Sequence, residues 1–277
     1  MEHTIIKSPL RYPGGKSRAI KQIMPLVPNF KEFREPMVGG GSVFFALKQK
    51  HPSRKFWIND INYELYVFWK VCRDNPNELI NAINTFKIGL KTGRALHGFL
   101  LKEDDSFNEI QRAARFFILN RITFSGLAES GGFSESAYKE RFTASSIKRL
   151  IRISEMLKNT KITNEDYEKS LSAPGEDVFI FLDPPYISKS HSKLYGKDGV
   201  LHTGFDHERF AESMKKCKHK WLITYDDAPE IRKLFSFDGV KIIKFQLQYG
   251  MNNFKQGHAA KGKELFIMNY DVSKTLI

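Results

Sequence analysis

The stretch VFIFLDPPY, Val178 to Tyr186, restricts the fold more than any other part of the chain. Its apolar, strand-forming residues are bounded by a carboxylate and two prolines, so it reads as a buried strand that stops at Asp183. Pro184 and Pro185 have no N–H and a fixed φ. Neither can continue a ladder, so the peptide becomes a stiff turn holding Asp183 and Tyr186 at the strand's carboxyl end. In open α/β sheets, ligands bind at that edge. A carboxylate oxygen of Asp183 and the Pro184 carbonyl could both accept hydrogen bonds from one planar NH2 group, while the Tyr186 ring stacks on the heterocycle that carries it. That is a cradle for an exocyclic amine. A strand-ending Asp-Pro turn with a packed tyrosine is the blander alternative, and the rest of the chain has to decide.

A chain of 277 residues with 41% hydrophobic content can bury one substantial core, and one domain with a lobe inserted in it is the natural organisation. The formal charge of +13 is spread along the whole length, which suits a surface or cleft that meets a polyanion. Charge alone leaves the partner open. Cys72 and Cys217 lie far apart without metal-ligand spacing and read as a core residue and a reduced thiol, so neither a disulfide framework nor a metal is expected. The N-terminus has no apolar signal region, and no run approaches the ~20 apolar residues of a membrane span. A soluble, cytoplasmic protein is the expectation.

Leu10 to Ser17 reads LRYPGGKS and is followed by Ile20, Ile23 and Met24 at helical spacing. A Gly-rich loop therefore opens onto a helix N-terminus, where backbone N–H groups favour an anion. It is not a phosphate loop, because Leu10 stands where G-x-x-x-x-G-K needs glycine. Lys16 could instead reach a carboxylate and Tyr12 could stack on a ring; a capping loop with a solvated lysine is the alternative. Phe33 to Ser42, FREPMVGGGS, leads into the apolar stripe of a helix, and its glycines permit positive φ and close backbone approach. The next strand, FWIND, ends in Asp60, about the ~20 residues further on at which an acid grips ribose hydroxyls. Strand, glycine turn and acid-ended strand make a nucleoside site. It is not the dinucleotide fingerprint, since Phe44 takes the place of the third glycine after Gly39 and Gly41.

These stretches, with Asp183-Pro184-Pro185-Tyr186, resemble the Dam family of adenine methyltransferases over about Leu10 to Tyr270. Leu10 to Lys16 is similar to the family's first motif, Glu35 to Val43 to its cofactor loop, and Asp60-Ile61-Asn62 to its ribose-binding turn. The resemblance implies a Rossmann-like α/β fold for an S-adenosylmethionine-dependent methyltransferase, with helices on both faces of the sheet and an inserted, mainly helical DNA recognition lobe carrying a β-hairpin. It implies that Tyr12, Lys16, Glu35, Asp60 and Asp183 border the S-adenosylmethionine site and that Gly39 and Gly41 let the cofactor approach the backbone. Residues 1–61 and 160–277 would form the catalytic domain, and 62–159 the recognition domain.

Within the insert, Phe116 to Phe142 runs from an apolar helix into a turn-rich segment of Gly, Ser and aromatics with basic residues close by. Taken alone it reads equally as a surface hairpin with solvated charges. By the resemblance, Asn120-Arg121 matches the helix end of the recognition lobe, Gly132-Phe133 its hairpin, and Phe124 the place where an aromatic wedges into the base stack. Ser125, Glu129, Lys139 and Arg141 complete the expected DNA contacts. Members that read GATC carry an arginine about where Glu129 falls; glutamate accepts from cytosine N4, whereas arginine donates to guanine, so the resemblance leaves GATC specificity open.

Lys161-Ile162-Thr163 reads as a third strand, followed by Asp166 and Tyr167, which the fold would lay on the cofactor's adenine; an exposed acidic turn is the alternative. Ile187 to Gly204 is polar and without apolar period, a lid by position. His191, His202 and His207 lack the spacing of a metal pair. A helix near Asp206 to Cys217 and the runs WLITYDD, KIIKFQLQY and LFIMNY close the chain, the final strand pair antiparallel because only a loop joins it. The function expected is methylation of adenine N6 in duplex DNA by base flipping, with a cognate restriction enzyme as a possible partner and the chain itself a monomer. Cytosine N4 methylation, RNA methylation and a catalytically silent DNA-binding relative are the alternatives.

Overall fold

A computed structural model describes residues 6–12, 14–102, 106–128, 130–187, 204–248 and 261–272. The lid expected at Ile187 to Gly204 falls almost wholly outside these residues, as do Glu129, His191 and His202.

Seven strands form one sheet: β1 (Glu32–Glu35), β2 (Lys55–Asn59), β3 (Thr160–Thr163), β4 (Val178–Leu182), β5 (Lys220–Asp226), β6 (Lys241–Gln248) and β7 (Lys261–Met268), in the order β3-β2-β1-β4-β5-β7-β6. The first five are parallel, and β7 runs antiparallel between β5 and β6. The apolar run of β4 is buried throughout and central, as a strand covered on both faces must be. Side chains alternate across the sheet. Phe179 and Phe181 join one cluster with Phe33, Phe56 and Phe266, while Val178, Ile180 and Leu182 join another with Ile223, Tyr225 and Leu265. The two clusters are the two faces of the sheet. The antiparallel final pair was expected from its short connection; the insertion of β7 beside β5 was not, and it puts the start of β7 at the sheet's carboxyl edge.

The helices are α1 (Ile20–Ile23), which precedes β1, and, between strands, α2 (Ser42–Lys50), α3 (Tyr63–Asp74), α4 (Pro76–Gly89), α5 (Gly93–Lys102), α6 (Glu109–Ile122), α7 (Glu135–Arg141), α8 (Ala144–Leu157), α9 (Tyr167–Ser172), α10 (His207–Lys216) and α11 (Pro229–Leu234) among the described residues. Side chains fix several starts: Asn62 accepts from Leu65 N, Asn108 and Gln111 form a capping box, and Asp206 accepts from Arg209 N. Most of the inserted helices bury their apolar faces in the first cluster, where Phe68 stacks on Phe117 with centroids 6.0 Å apart. Burying one such ring contributes roughly 1.5–3 kcal/mol, so the insert and the sheet stabilise each other through a shared core. Where a β-hairpin was expected after α6, the described residues hold a single antiparallel bridge, Thr123 to Phe133, around a turn in which Ser125 and Gly126 have φ of 58° and 77°. Ser134 then caps α7, so the returning chain turns helical before a second strand can form. Among the described residues no helix is long and apolar enough to cross a membrane.

Candidate active site

A cleft of about 330 Å³ opens at the carboxyl ends of β1, β2 and β4, within the range that small-ligand sites occupy. Every residue expected at the catalytic motif and the cofactor site lines it: Tyr12, Lys16, Glu35, Gly39, Gly41, Asp60, Asp166, Tyr167 and Asp183 to Tyr186.

The glycine loop after β1 is shaped by what touches it. Gly39 and Gly41 have φ of 47° and 66°, a region that side chains rarely enter. A Cβ on Gly39 would lie 2.8 Å from Tyr12 Cε1, and one on Gly40 2.9 Å from Tyr12 Cβ, so the loop and Tyr12 pack only because these residues lack side chains. Gly39 N donates to Asp60 Oδ2 at 2.9 Å and Asn62 N donates to Asp60 Oδ1 at 3.0 Å, so the second strand's acid braces the first strand's turn. Loss of hydration pushes Asp60 up to about 6, against the pull of those two N–H groups. Burial holds Glu35 well above the usual carboxylate range; the Phe44 N–H at 2.9 Å opposes this, and Asp183 and Asp60 add to it.

Asn59, the last residue of β2 and not among the expected site residues, ties three loops together. Its Nδ2 donates to Pro36 O and Glu165 O, and its Oδ1 accepts from Glu165 N and Thr163 Oγ1. Asp166 caps α9 and pairs with Arg209 at 2.9 Å, while Tyr167 lies under the Arg209 guanidinium, 5.4 Å from the ring centroid. Burial pushes the Tyr167 phenol up to about 12.

Asp183 stands where β4 ends. Its Oδ2 accepts from Lys16 Nζ at 2.6 Å and its Oδ1 from Thr224 Oγ1 at 2.8 Å. Lys16 also donates to Gly14 O and sits 5.0 Å from the centre of the Tyr186 ring. The carboxylate that Lys16 reaches is therefore the motif's own acid. Tyr186 is buried, and its hydroxyl donates to Glu264 Oε2 at 2.8 Å. Burial, then the charges of Asp183 and Glu264, drive this phenol well above its ordinary range, so it stays protonated and donates. Thr224 and Glu264 carry no motif; only the register of β5 and β7 brings them here.

The described residues expected to touch DNA lie away from the cleft lining and divide into two kinds. Phe124 is 61% exposed beside the left-handed Ser125, and Lys139 is exposed, paired with Glu135 at 3.3 Å. Asn120 and Arg121 are buried and bond to backbone. Asn120 accepts from Arg11 N and donates to Arg11 O and Gly126 O, while Arg121 donates to Arg141 O and Pro9 O. They fasten the segment that carries Tyr12. Arg121 is held down to about 10 by burial and by Arg149, Arg11 and Arg141, and no ion pair relieves this arginine group among the described residues. Arg11 lies in the first motif without a role assigned to it, and Arg149 belongs to no motif; neither was anticipated here.

The sequence profile described as D12 class N6 adenine-specific DNA methyltransferase matches residues 12–251. Type II methyltransferase M1.LlaDCHI of Lactococcus lactis subsp. cremoris is 28% identical over 94% of this chain and 94% of its own. Type II methyltransferase M.MjaIII of Methanocaldococcus jannaschii is 31% identical over 65% of this chain and 69% of its own. The DNA adenine methylase of Vibrio cholerae is 25% identical, with 85% and 87% covered. Since the matched span takes in every residue that lines the cleft, the chain belongs to the D12 class of N6 adenine-specific DNA methyltransferases.

Proposed function

We propose that the cleft binds S-adenosylmethionine beside a flipped adenine of duplex DNA and that the Asp183–Tyr186 motif carries the transfer to N6. The observation that supports this best is the convergence of Asp183, Tyr186, Lys16 and Asp60, which lie far apart in sequence, on one cleft. The donor set suits the cofactor: the side-chain-free loop admits a ligand against backbone, Asp60 offers carboxylate oxygens to ribose hydroxyls, and acidic groups suit a sulfonium. When bound, S-adenosylmethionine supplies the electrophilic methyl group.

The chain's own residues do the rest. A paired adenine hides N6 in the stack, so the base has to rotate out, at a cost of a few kcal/mol. Tyr186 stacks on the flipped ring, and Asp183 with the Pro184 carbonyl accepts the two N6 hydrogens, drawing the nitrogen lone pair out of conjugation. Oδ2 already holds Lys16 and Oδ1 holds Thr224, so the amine uses the remaining lone pairs. Rate comes mainly from orientation and electrostatics. Outside the cleft, we infer that the segment 62–159 is the recognition domain. Phe124 serves as wedge, and Arg11, Arg141 and Arg149 face phosphate around the buried Arg121, the charge excess of this group calling for an anion. Asn120 and Arg121 act by holding this frame. We further propose a monomer working in the cytoplasm, with a cognate restriction enzyme, as the names of two relatives suggest.

The test is to incubate the protein with methyl-labelled S-adenosylmethionine and, in parallel, mixed-sequence duplex DNA or structured RNA, digest to nucleosides and identify the labelled one. N6-methyldeoxyadenosine is the expected product. Label on deoxycytidine, or on RNA alone, would refute this reading.

A further inference from the structure

The motif residues Asp183 and Tyr186 are each held from the far side of the sheet's centre, by side chains that no motif contains. The parallel register pairs Leu182 with Ile223, so the next residues, Asp183 and Thr224, come level at the edge. The antiparallel register pairs Thr224 with Phe266 and Asp226 with Glu264. Thr224, Asp226 and Glu264 therefore share one face of the sheet, and Glu264, early in β7, falls at the carboxyl edge because β7 runs backwards. Both side chains are buried, at 0% and 1% exposure. Each makes a contact of 2.8 Å with a motif side chain: Thr224 Oγ1 to Asp183 Oδ1, and Tyr186 Oη to Glu264 Oε2.

Resting on the function proposed above, we propose that Thr224 and Glu264 are positioning residues for methyl transfer, Thr224 setting the plane of the Asp183 carboxylate and Glu264 the tilt of the Tyr186 ring. Asp183 has two soft torsions, and Lys16 alone, donating at Oδ2, would let the carboxylate pivot about that contact. A second donor at Oδ1 removes the pivot and leaves the free lone pairs aimed at one place. Tyr186 follows two prolines that fix its backbone but leave its ring free to rotate about χ1 and χ2. A hydrogen bond at the para oxygen, the point furthest from the backbone, is the most effective restraint on both. Glu264 lies beyond residues 12–251, the span that the family profile matches. The geometry of the reacting amine is thereby set in part from the last strand of the chain.

The test uses the full chain and single-turnover methyl transfer on a duplex that the wild type methylates, with cofactor affinity by calorimetry and thermal melting alongside. Thr224→Val and Glu264→Leu are expected to slow the chemical step about tenfold or more while cofactor affinity stays within about twofold. Thr224→Ser and Glu264→Gln keep the hydroxyl and the acceptor oxygen, and both restore most of the rate. In a Tyr186→Phe background, Glu264→Leu costs less than it does alone, because the contact between the two is already gone. If Glu264→Leu does not fold, Tyr186→Phe alone reads the same contact and shows the same slowing. The proposal is overturned by wild-type rates in Thr224→Val and Tyr186→Phe, by losses in the double variant that multiply, or by loss of cofactor affinity that accounts for the rate. A wild type that labels no adenine would overturn the function proposed above and this inference with it, whereas an active wild type with unaffected variants overturns this inference alone.

Discussion

The cleft and the segment proposed for recognition use their polar residues in opposite ways. In the cleft, residues from loops far apart in sequence turn outward into one cavity, and the bonds among them, Gly39 to Asp60 or Lys16 to Asp183, leave backbone and lone pairs for a ligand. In the recognition segment, Asn120 and Arg121 turn inward and bond to Pro9, Arg11, Gly126 and Arg141, while the residues left facing solvent are Phe124, Lys139 and Arg141. The difference is one of geometry. A strand that stops at the sheet's edge delivers its next side chain to the ligand edge whatever that residue is, whereas a helix end delivers side chains to both core and solvent, and packing decides which.

The strongest way to break this contrast is Asp183→Ala. It removes the proposed acceptor of the amine, and the rate should fall about a thousandfold with the fold intact, as single-turnover assays and melting would show. Near-normal turnover would mean that the cradle is not the catalytic feature. Asn120→Ala sharpens the contrast from the other side. It strips partners from Arg11 N, Arg11 O and Gly126 O, which should cost roughly 3 kcal/mol in denaturant melts. Arg11 leads into Tyr12, so cofactor affinity should fall as well; a loss of DNA affinity alone would make Asn120 a contact residue after all.

A smaller effect comes from Asp60. Its carboxyl titrates near 4 in an unfolded chain and at about 6 here, so between those values the folded chain binds more protons. Stability from this group therefore falls as pH rises from about 4 to about 6 and is level above. A ribose hydroxyl is best held by the ionised form, so cofactor affinity should move the other way, rising severalfold between about pH 5 and about pH 7. Asp60→Asn should flatten both profiles, as calorimetry across that range would check.

Much of the cleft was legible in the residues because its signals are local. An apolar run closed by Asp-Pro-Pro is a buried strand end in any fold, glycines with no room for Cβ mark a close approach, and an acid at the end of the next strand marks a nucleoside site. Chain order then places such strand ends along one edge of a parallel sheet. What the tertiary structure alone decided depends on pairing across long separations. The entry of β7 between β5 and β6 brings Glu264 to Tyr186, the register of β5 brings Thr224 to Asp183, and Asn59 joins three loops through bonds that no spacing announces. The same holds for Asn120 and Arg121. Their residue types suit a DNA contact and a buried fastener equally well, and only the packing of α6 against the Pro9 to Arg11 segment turned them inward, because a buried backbone amide or carbonyl without a partner costs more than an exposed side chain gains.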